Sequence, residues 1–202
     1  MSDAAPAVEP ASAVGPTGPM PSRRVRLAVS GAVAVGSVLL RLPYLVRPGA
    51  LVYDELFYVP DAADLARWGT EHGTAGHPPL GKWAIAAGLR LGGYEPFWWR
   101  LPSVLAGAVV CAAVAWGAIV LTRRAGLGAA AGALVALDGT VHVTSRLALL
   151  DVFLAAGTTV AVVALLSAWR ARPDPARAWR WWTVAALATG AAAAVKWSGA
   201  AL

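Results

Sequence analysis

LPSVLAGAVVCAAVAWGAIVL, residues 101–121, carries no charged side chain over 21 positions and decides the class of the fold. A bilayer core needs roughly 20 apolar residues per helix, so this stretch predicts a membrane-spanning α-helix. The 202-residue chain is 58% hydrophobic and only 14% charged. A soluble domain carries about 25% charged residues. The sequence therefore predicts an all-α integral membrane protein that crosses the bilayer several times.

Four further apolar runs predict additional spans. They cover about 27–45, 125–143, 147–169 and 181–202. The last run reaches the end of the chain without a polar flank. We therefore expect residues 23–202 to be the N-terminal part of a transmembrane domain, truncated at the C-terminus.

The first 22 residues are rich in Pro, Ala, Ser and Gly and hold almost no large apolar side chains. Such a segment buries too little surface to offset the entropy of ordering, so residues 1–22 are predicted to form a disordered cytoplasmic tail. Arg23, Arg24 and Arg26, followed by the first apolar run, also resemble a signal peptide. An uncleaved first helix is preferred, because a polar tail precedes this run and more spans follow it.

A long polar stretch, residues 46–97, contains one short apolar segment, LGKWAIAAGLRL at 80–91. As a helix this segment would extend only about 18 Å, too short for a hydrocarbon core of about 30 Å. If it does not cross, all three basic clusters share one side of the membrane, and the positive-inside rule makes that side cytoplasmic. The clusters are Arg23/Arg24/Arg26, Arg123/Arg124 and Arg170/Arg172/Arg177/Arg180. The prediction is an outer loop over 46–97 with two juxtamembrane helices, near 62–68 and 80–91.

The net charge of +6 does not indicate a nucleic-acid partner, because the basic residues cluster at the ends of spans. The expected partner is instead the membrane lipid that surrounds the spans. Cys111 is the only cysteine, so no internal disulfide can form, and cysteine content does not indicate a redox compartment.

Ionisable side chains gather in the outer half of the predicted spans. They are Arg41, Arg100, Asp138, His142, Arg146, Asp151 and Lys196. A charge inside a membrane costs roughly 2.5–3.5 kcal/mol on insertion scales, so such residues commonly mark sites. Arg41 and Arg100 could instead reach water from span ends. Structural pairing of Arg146 with Asp151, or of Lys196 with Asp138, is also open.

On either explanation, Asp138, Asp151 and Lys196 are expected to line a polar cavity that opens to the outside. Two polar motifs of the outer loop lie beside this predicted cavity. They are YDELFY at 53–58, with the adjacent acids Asp54 and Glu55, and HPPLGK at 77–82.

These motifs suit a transfer reaction with a phosphate leaving group. A carboxylate can accept the proton of an attacking hydroxyl, and basic side chains can stabilise the departing phosphate. His77, Lys82 and Arg100 are the predicted phosphate ligands. The simpler explanations are a solvated loop carboxylate at Asp54 and a turn cap at His77. No metal or other cofactor is expected to be required.

Five motifs in order resemble the protein O-mannosyltransferase family, in particular its bacterial, actinobacterial-type members. They are YDELFYVPDAADL (53–65), HPPLGKW (77–83), FWWRLPSVLAG (97–107), ALDGTVHVTSRLALLDVFL (136–154) and KWSG (196–199). The resemblance implies a multi-span GT-C-type helical bundle with juxtamembrane helices in its first outer loop. It also implies inverting transfer of mannose from polyprenyl-phosphate-mannose to Ser or Thr hydroxyls of exported proteins.

The resemblance also implies roles for particular residues. Asp54 matches the expected base, and Glu55 the acid that supports the site. Lys82, Arg100 and Arg146 match basic family positions, which we assign to donor binding. Tyr53 departs mildly from the pattern, since Phe is common before the acidic pair. The implied location is the plasma membrane with the site on its outer face, and an exported acceptor makes the secretion machinery a candidate partner.

Two alternatives stay open from sequence. A related transferase could move a lipid-linked sugar to a glycan or a lipid, as in aminoarabinose transfer to lipid A or arabinofuranosyl transfer. A transporter is the other alternative, although transporters place charges near the midplane on broken helices, whereas here the charges gather in one leaflet.

Overall fold

The computed structural model describes residues 18–73 and 76–201, and all regular structure in these ranges is helical. The helices are α1 (Arg23–Arg41), α2 (Glu55–Trp68), α3 (Leu80–Gly92), α4 (Pro96–Thr122), α5 (Ala125–Leu137), α6 (Gly139–Thr144), α7 (Leu150–Arg170) and α8 (Pro175–Val195), followed by a 3₁₀ turn (Trp197–Ala201). Most of the predicted tail, residues 1–17, lies outside the described ranges. The all-helical prediction is confirmed for the described residues.

The long helix α4 lies at the centre and packs against α1, α3, α5 and α7, while α8 packs along α7. In the part of the chain that the structure describes, α4 and α7 are long and apolar enough to cross a bilayer, with mean hydropathies of 2.5 and 2.0. The shorter helix α5 is apolar but has only 13 residues. The spans predicted around α1, α5 and α8 stay predictions.

Glycine allows the close approach of α5 to its neighbours. A Cβ at Gly132 would lie 2.8 Å from Val33 of α1 and 2.9 Å from the carbonyl oxygen of Cys111 on α4. In lipid, where burial of apolar surface gives little drive, such backbone contact supplies the packing energy between helices.

Several helix boundaries differ from those predicted. The first helix ends at Arg41, not at 45, and α5 ends at Leu137, not at 143. The helix is interrupted at Asp138 because the Asp138 side chain caps the next helix, α6. Its carboxylate accepts a hydrogen bond from the N–H of Val141 at 2.8 Å. Helix α8 begins at Pro175, not at 181, since Asp174 caps it and proline suits the first turn. It ends at Val195, not at 202.

The three basic clusters lie at one end of the bundle. Arg123 at the end of α4 donates a hydrogen bond to the carbonyl of Gly18, just before α1, at 3.1 Å. The first turns of α1 and α8 face each other across a cavity that Arg26 and Arg177 both line. The membrane topology and the direction of the bundle in the membrane stay predictions.

At the opposite end, α2 and α3 pack onto the ends of the long helices. Their buried apolar side chains, among them Val59, Ile85 and Leu89, form one core with Trp99 of α4 and Leu150 of α7. Helix α3 was predicted at 80–91 and is found at Leu80–Gly92. Helix α2 was predicted near 62–68 but begins at Glu55, so the acidic pair lies at its first turn.

Candidate active site

Glu55 and Arg100 form a fully buried ion pair between α2 and α4. Arg100 Nε lies 2.8 Å from Glu55 Oε1, and Arg100 Nη2 lies 2.7 Å from Oε2. The remaining N–H groups of Arg100 donate to the carbonyls of Leu45, Pro48 and Ala50 at 2.9–3.2 Å. A guanidinium has five N–H donors, and each has an acceptor here, so the burial of both charges is compensated.

The Glu55 carboxylate also fixes two stretches of backbone. Its Oε2 accepts a hydrogen bond from the N–H of Val52 at 3.2 Å, and its Oε1 accepts one from the N–H of Ala148 at 2.9 Å. One side chain therefore joins the start of α2, the start of α4 and the turn before α7. Glu55 and Arg100 position the segment that carries Asp54.

Asp54, one residue earlier, is exposed to solvent. Its Oδ2 lies 3.5 Å from the hydroxyl of Tyr58, one helical turn along α2. Burial, followed by the charges of Asp54 and Asp151, raises the pKa of Tyr58 to about 12. The Tyr58 hydroxyl therefore stays protonated at neutral pH and can donate to Asp54, leaving the rest of this carboxylate accessible.

Further polar side chains from three segments gather around Tyr58. The ring of His77 lies 6.1 Å from that of Tyr58, and His77 Nδ1 is buried with no hydrogen-bond partner among the described residues. Asp151 is close enough for its charge to raise the pKa of Tyr58. Its Oδ1 accepts a hydrogen bond from Lys196 Nζ at 2.8 Å. We call Asp54, Tyr58, His77, Asp151 and Lys196 the rim cluster.

Lys82 of the HPPLGK motif lies in the first turn of α3 and is fully buried. Its Nζ lies 3.1 Å from Asp61 Oδ2 and also contacts the carboxylate of Glu71. Two carboxylates therefore compensate its charge and join α3 to the middle of α2 and to the loop that follows α2. That Lys82 and Arg100 hold a donor phosphate stays a prediction, and both side chains are engaged by protein groups here.

The two charge pairings left open from the sequence are replaced by other contacts in the structure. Lys196 pairs with Asp151, not with Asp138, because Asp138 is used as the cap of α6. Arg146 Nη2 donates to the carbonyl of Pro43 at 2.6 Å, not to Asp151. The Nε atom of Arg146 is buried without an acceptor in the described ranges.

Three residues of this region were missed from sequence. Tyr58 follows Asp54 by four residues, a spacing that could have indicated contact on a helix. Asp61 and Glu71 contact Lys82 through the tertiary fold, and no local pattern predicts such pairs. Among the residues described, no group of three or more His, Cys, Asp or Glu forms a potential metal site. The expectation that no metal is required stays an expectation.

The fold and the site define a helical membrane protein with an acidic polar site at one end of its bundle. The sequence profile of the dolichyl-phosphate-mannose-protein mannosyltransferase family matches residues 95–202. The polyprenol-phosphate-mannose–protein mannosyltransferase of Mycobacterium tuberculosis is 36% identical over 183 residues, covering 79% of this chain. The enzyme of the same name from Mycolicibacterium smegmatis is 32% identical over 222 residues, covering 96% of this chain. The chain belongs to this mannosyltransferase family, which confirms the resemblance seen in its motifs.

The protein O-mannosyltransferase complex of S. cerevisiae, solved with its sugar donor, shares the fold. The TM-score is 0.75 with 23% sequence identity, over 90% of this chain and 27% of the yeast chain. The chain spans only 35% of the M. tuberculosis relative and 43% of the M. smegmatis relative.

Proposed function

We propose that the protein to which this chain belongs transfers mannose from polyprenyl-phosphate-mannose to Ser or Thr hydroxyls of exported proteins. The names of the mycobacterial relatives support this donor and a protein acceptor. The observation that carries the proposal is the different environment of two adjacent acids. Glu55 is fully buried and ion-paired, whereas Asp54 is exposed beside Tyr58 and the rest of the rim cluster.

In this proposal Asp54 is the catalytic base. It accepts the proton of the acceptor hydroxyl as the hydroxyl oxygen attacks C1 of mannose. The bond between C1 and the phosphate oxygen breaks, and its electron pair leaves with the phosphate. Attack from the face opposite the phosphate inverts the anomeric centre. Since a phosphate leaves without protonation, one accessible carboxylate suffices, unlike the carboxylate pair of glycoside hydrolases.

The departing phosphate needs donors that the protein does not already use. His77 Nδ1 and Arg146 Nε are buried without acceptors in the described part of the chain, and each can donate to a phosphate oxygen. Lys196 is partly exposed and adds a positive charge beside Asp151. The contacts of Arg100 and Lys82 instead support positioning roles, because they fix α2, which Asp54 precedes, and α3, which follows the loop that carries His77.

The base is tested by Asp54→Asn in the full-length protein, assayed with labelled polyprenyl-phosphate-mannose and a Ser/Thr-containing peptide. Transfer should fall by about 10²–10⁴-fold, the usual contribution of a general base. Asp64→Asn is the matched control, since Asp64 lies on the same helix but pairs with His72 at 3.4 Å. Undiminished transfer by Asp54→Asn protein that inserts normally would contradict the role of Asp54.

The same assay tests the acceptor class. We place the reaction at the outer face of the plasma membrane, where a secreted polypeptide meets the lipid-borne donor as the secretion machinery delivers it. Label recovered in protein supports this acceptor. Label recovered only in lipid or glycan would replace it with the related lipid-linked-sugar transfer.

A further inference from the structure

A cavity of about 790 Å³ lies at the basic end of the bundle, away from the rim cluster. It opens between α1, α4, α7 and α8. Arginines line its mouth: Arg23 and Arg26 from α1, and Arg177 and Arg180 from α8. Apolar side chains such as Val109, Val160 and Val184 line other parts of it.

The cavity holds buried donors that lack acceptors. Arg26 is only 6% exposed, and its guanidinium lies 4.6 Å from the ring centre of Trp116. Arg26 Nε, the Ser30 hydroxyl and the Trp116 indole N–H have no hydrogen-bond partner among the residues described. Buried polar groups are normally paired, so these three donors indicate an anionic occupant. Of the described residues that line the cavity, only Asp174 is acidic, and its carboxylate caps α8 by accepting a hydrogen bond from the N–H of Arg177.

An apolar path leads from this basic mouth along the bundle. A second cavity of about 500 Å³ shares Val109 and Val160 with the first and reaches Leu80 and Trp83 of α3. Arginines at a membrane interface bind phosphate groups in fork geometry, and the adjoining apolar groove suits acyl chains. Basic pockets between helices at the cytoplasmic side bind anionic lipid headgroups in this manner.

We propose that this cavity binds one anionic phospholipid, with its phosphate at Arg26 and Arg177 and its acyl chains along the groove. The site is separate from the rim cluster and does not depend on the proposed transferase activity. The lipid joins α1 to α7 and α8 at the end of the bundle that lies away from the rim cluster.

Native mass spectrometry of the full-length protein in detergent tests the proposal, with phosphatidylglycerol and phosphatidylcholine as probes. One phosphatidylglycerol should be retained under activation that strips phosphatidylcholine. Arg26→Gln and Arg177→Gln should each weaken retention by about tenfold, the effect of losing one charge-assisted hydrogen bond. Arg24→Gln removes the same charge from the exposed side of α1, outside the cavity, and should leave retention unchanged.

Equal retention of the two lipids, or equal losses with Arg24→Gln and Arg177→Gln, would overturn the proposal. Arg177 is exposed, so its variant remains informative if Arg26→Gln fails to fold. Displacement of the lipid by inorganic phosphate alone would show a simple anion site and also contradict it. Deleting residues 1–17, which include Asp3 and Glu9, should leave retention unchanged; lipid binding only after deletion would assign the cavity to that segment.

Discussion

Glu55 and Asp54 are neighbours in sequence but have different chemistry, because only one is desolvated. Both oxygens of Glu55 accept hydrogen bonds, from the Arg100 guanidinium and from two backbone N–H groups. These contacts leave Glu55 no acceptor position for a substrate hydroxyl. Asp54, outside this network, keeps such a position.

The buried pair predicts a large stability effect for Glu55→Gln. Since both charges are fully buried, the variant leaves Arg100 uncompensated and should lower the free energy of unfolding by about 3–5 kcal/mol. Asp151→Asn is the control, because the Asp151 side chain is 52% exposed and such pairs contribute at most about 1 kcal/mol. Thermal unfolding in detergent measures both, and equal shifts in Tm would contradict the structural role of Glu55.

The Tyr58 hydroxyl should lose its proton only at high pH. Burial first, and then the charge of Asp54, raise its pKa to about 12 from the ordinary value of 10. A raised pKa in the folded state gives stability that is complete below pH 10 and is lost as pH rises through 12.

Absorbance at 295 nm, compared between wild type and Tyr58→Phe, should therefore show one tyrosine that titrates near pH 12. Asp54→Asn should move that titration to lower pH, because it removes one of the charges that disfavour the phenolate. An unchanged titration of Tyr58 in the Asp54→Asn variant would contradict the interaction between the Asp54 and Tyr58 side chains.

The close contact of α3 with the α4 backbone requires a glycine at position 88. A Cβ at Gly88 would lie 2.1 Å from the carbonyl oxygen of Trp98, which is backbone and cannot rotate away. Gly88→Ala should force the helices apart and destabilise the protein by about 1–3 kcal/mol. Gly126→Ala on α5 is the control, since no heavy atom of the described residues beyond its own stretch of helix lies within 4 Å of its Cβ position. Thermal unfolding distinguishes them, and a neutral Gly88→Ala would refute this close packing.

Elements with local boundary signals were predictable from sequence, whereas contacts between elements were not. Pro79 and Gly92-Gly93 bound α3, and its predicted limits differ from the observed ones by one residue at the C-terminal end. The start of α2 was misplaced because Pro60 indicated a boundary, yet the helix continues through it. The ion pair of Glu55 with Arg100 joins residues 45 apart. No periodicity encodes such a contact, so the burial of only one acid could not be predicted.

The whole bundle has two chemically different ends. The basic clusters and the phospholipid cavity lie at one, and the rim cluster with α2 and α3 lies at the other. The positive-inside rule predicts that the basic end faces the cytoplasm, and Asp54 is then expected at the outer surface. The proposed reaction requires this direction, because an exported acceptor is available only there.

Cysteine labelling of intact cells with a membrane-impermeant maleimide tests this direction. Cys111 is fully buried in α4, so it should not react, and each variant is compared with the protein without an introduced cysteine. Thr70 after α2 and Arg124 before α5 are both exposed, which makes them a matched pair at opposite ends. Thr70→Cys should label in intact cells, and Arg124→Cys only after permeabilisation. The reverse pattern would place the rim cluster in the cytoplasm, where neither the exported acceptor nor the proposed transfer could occur.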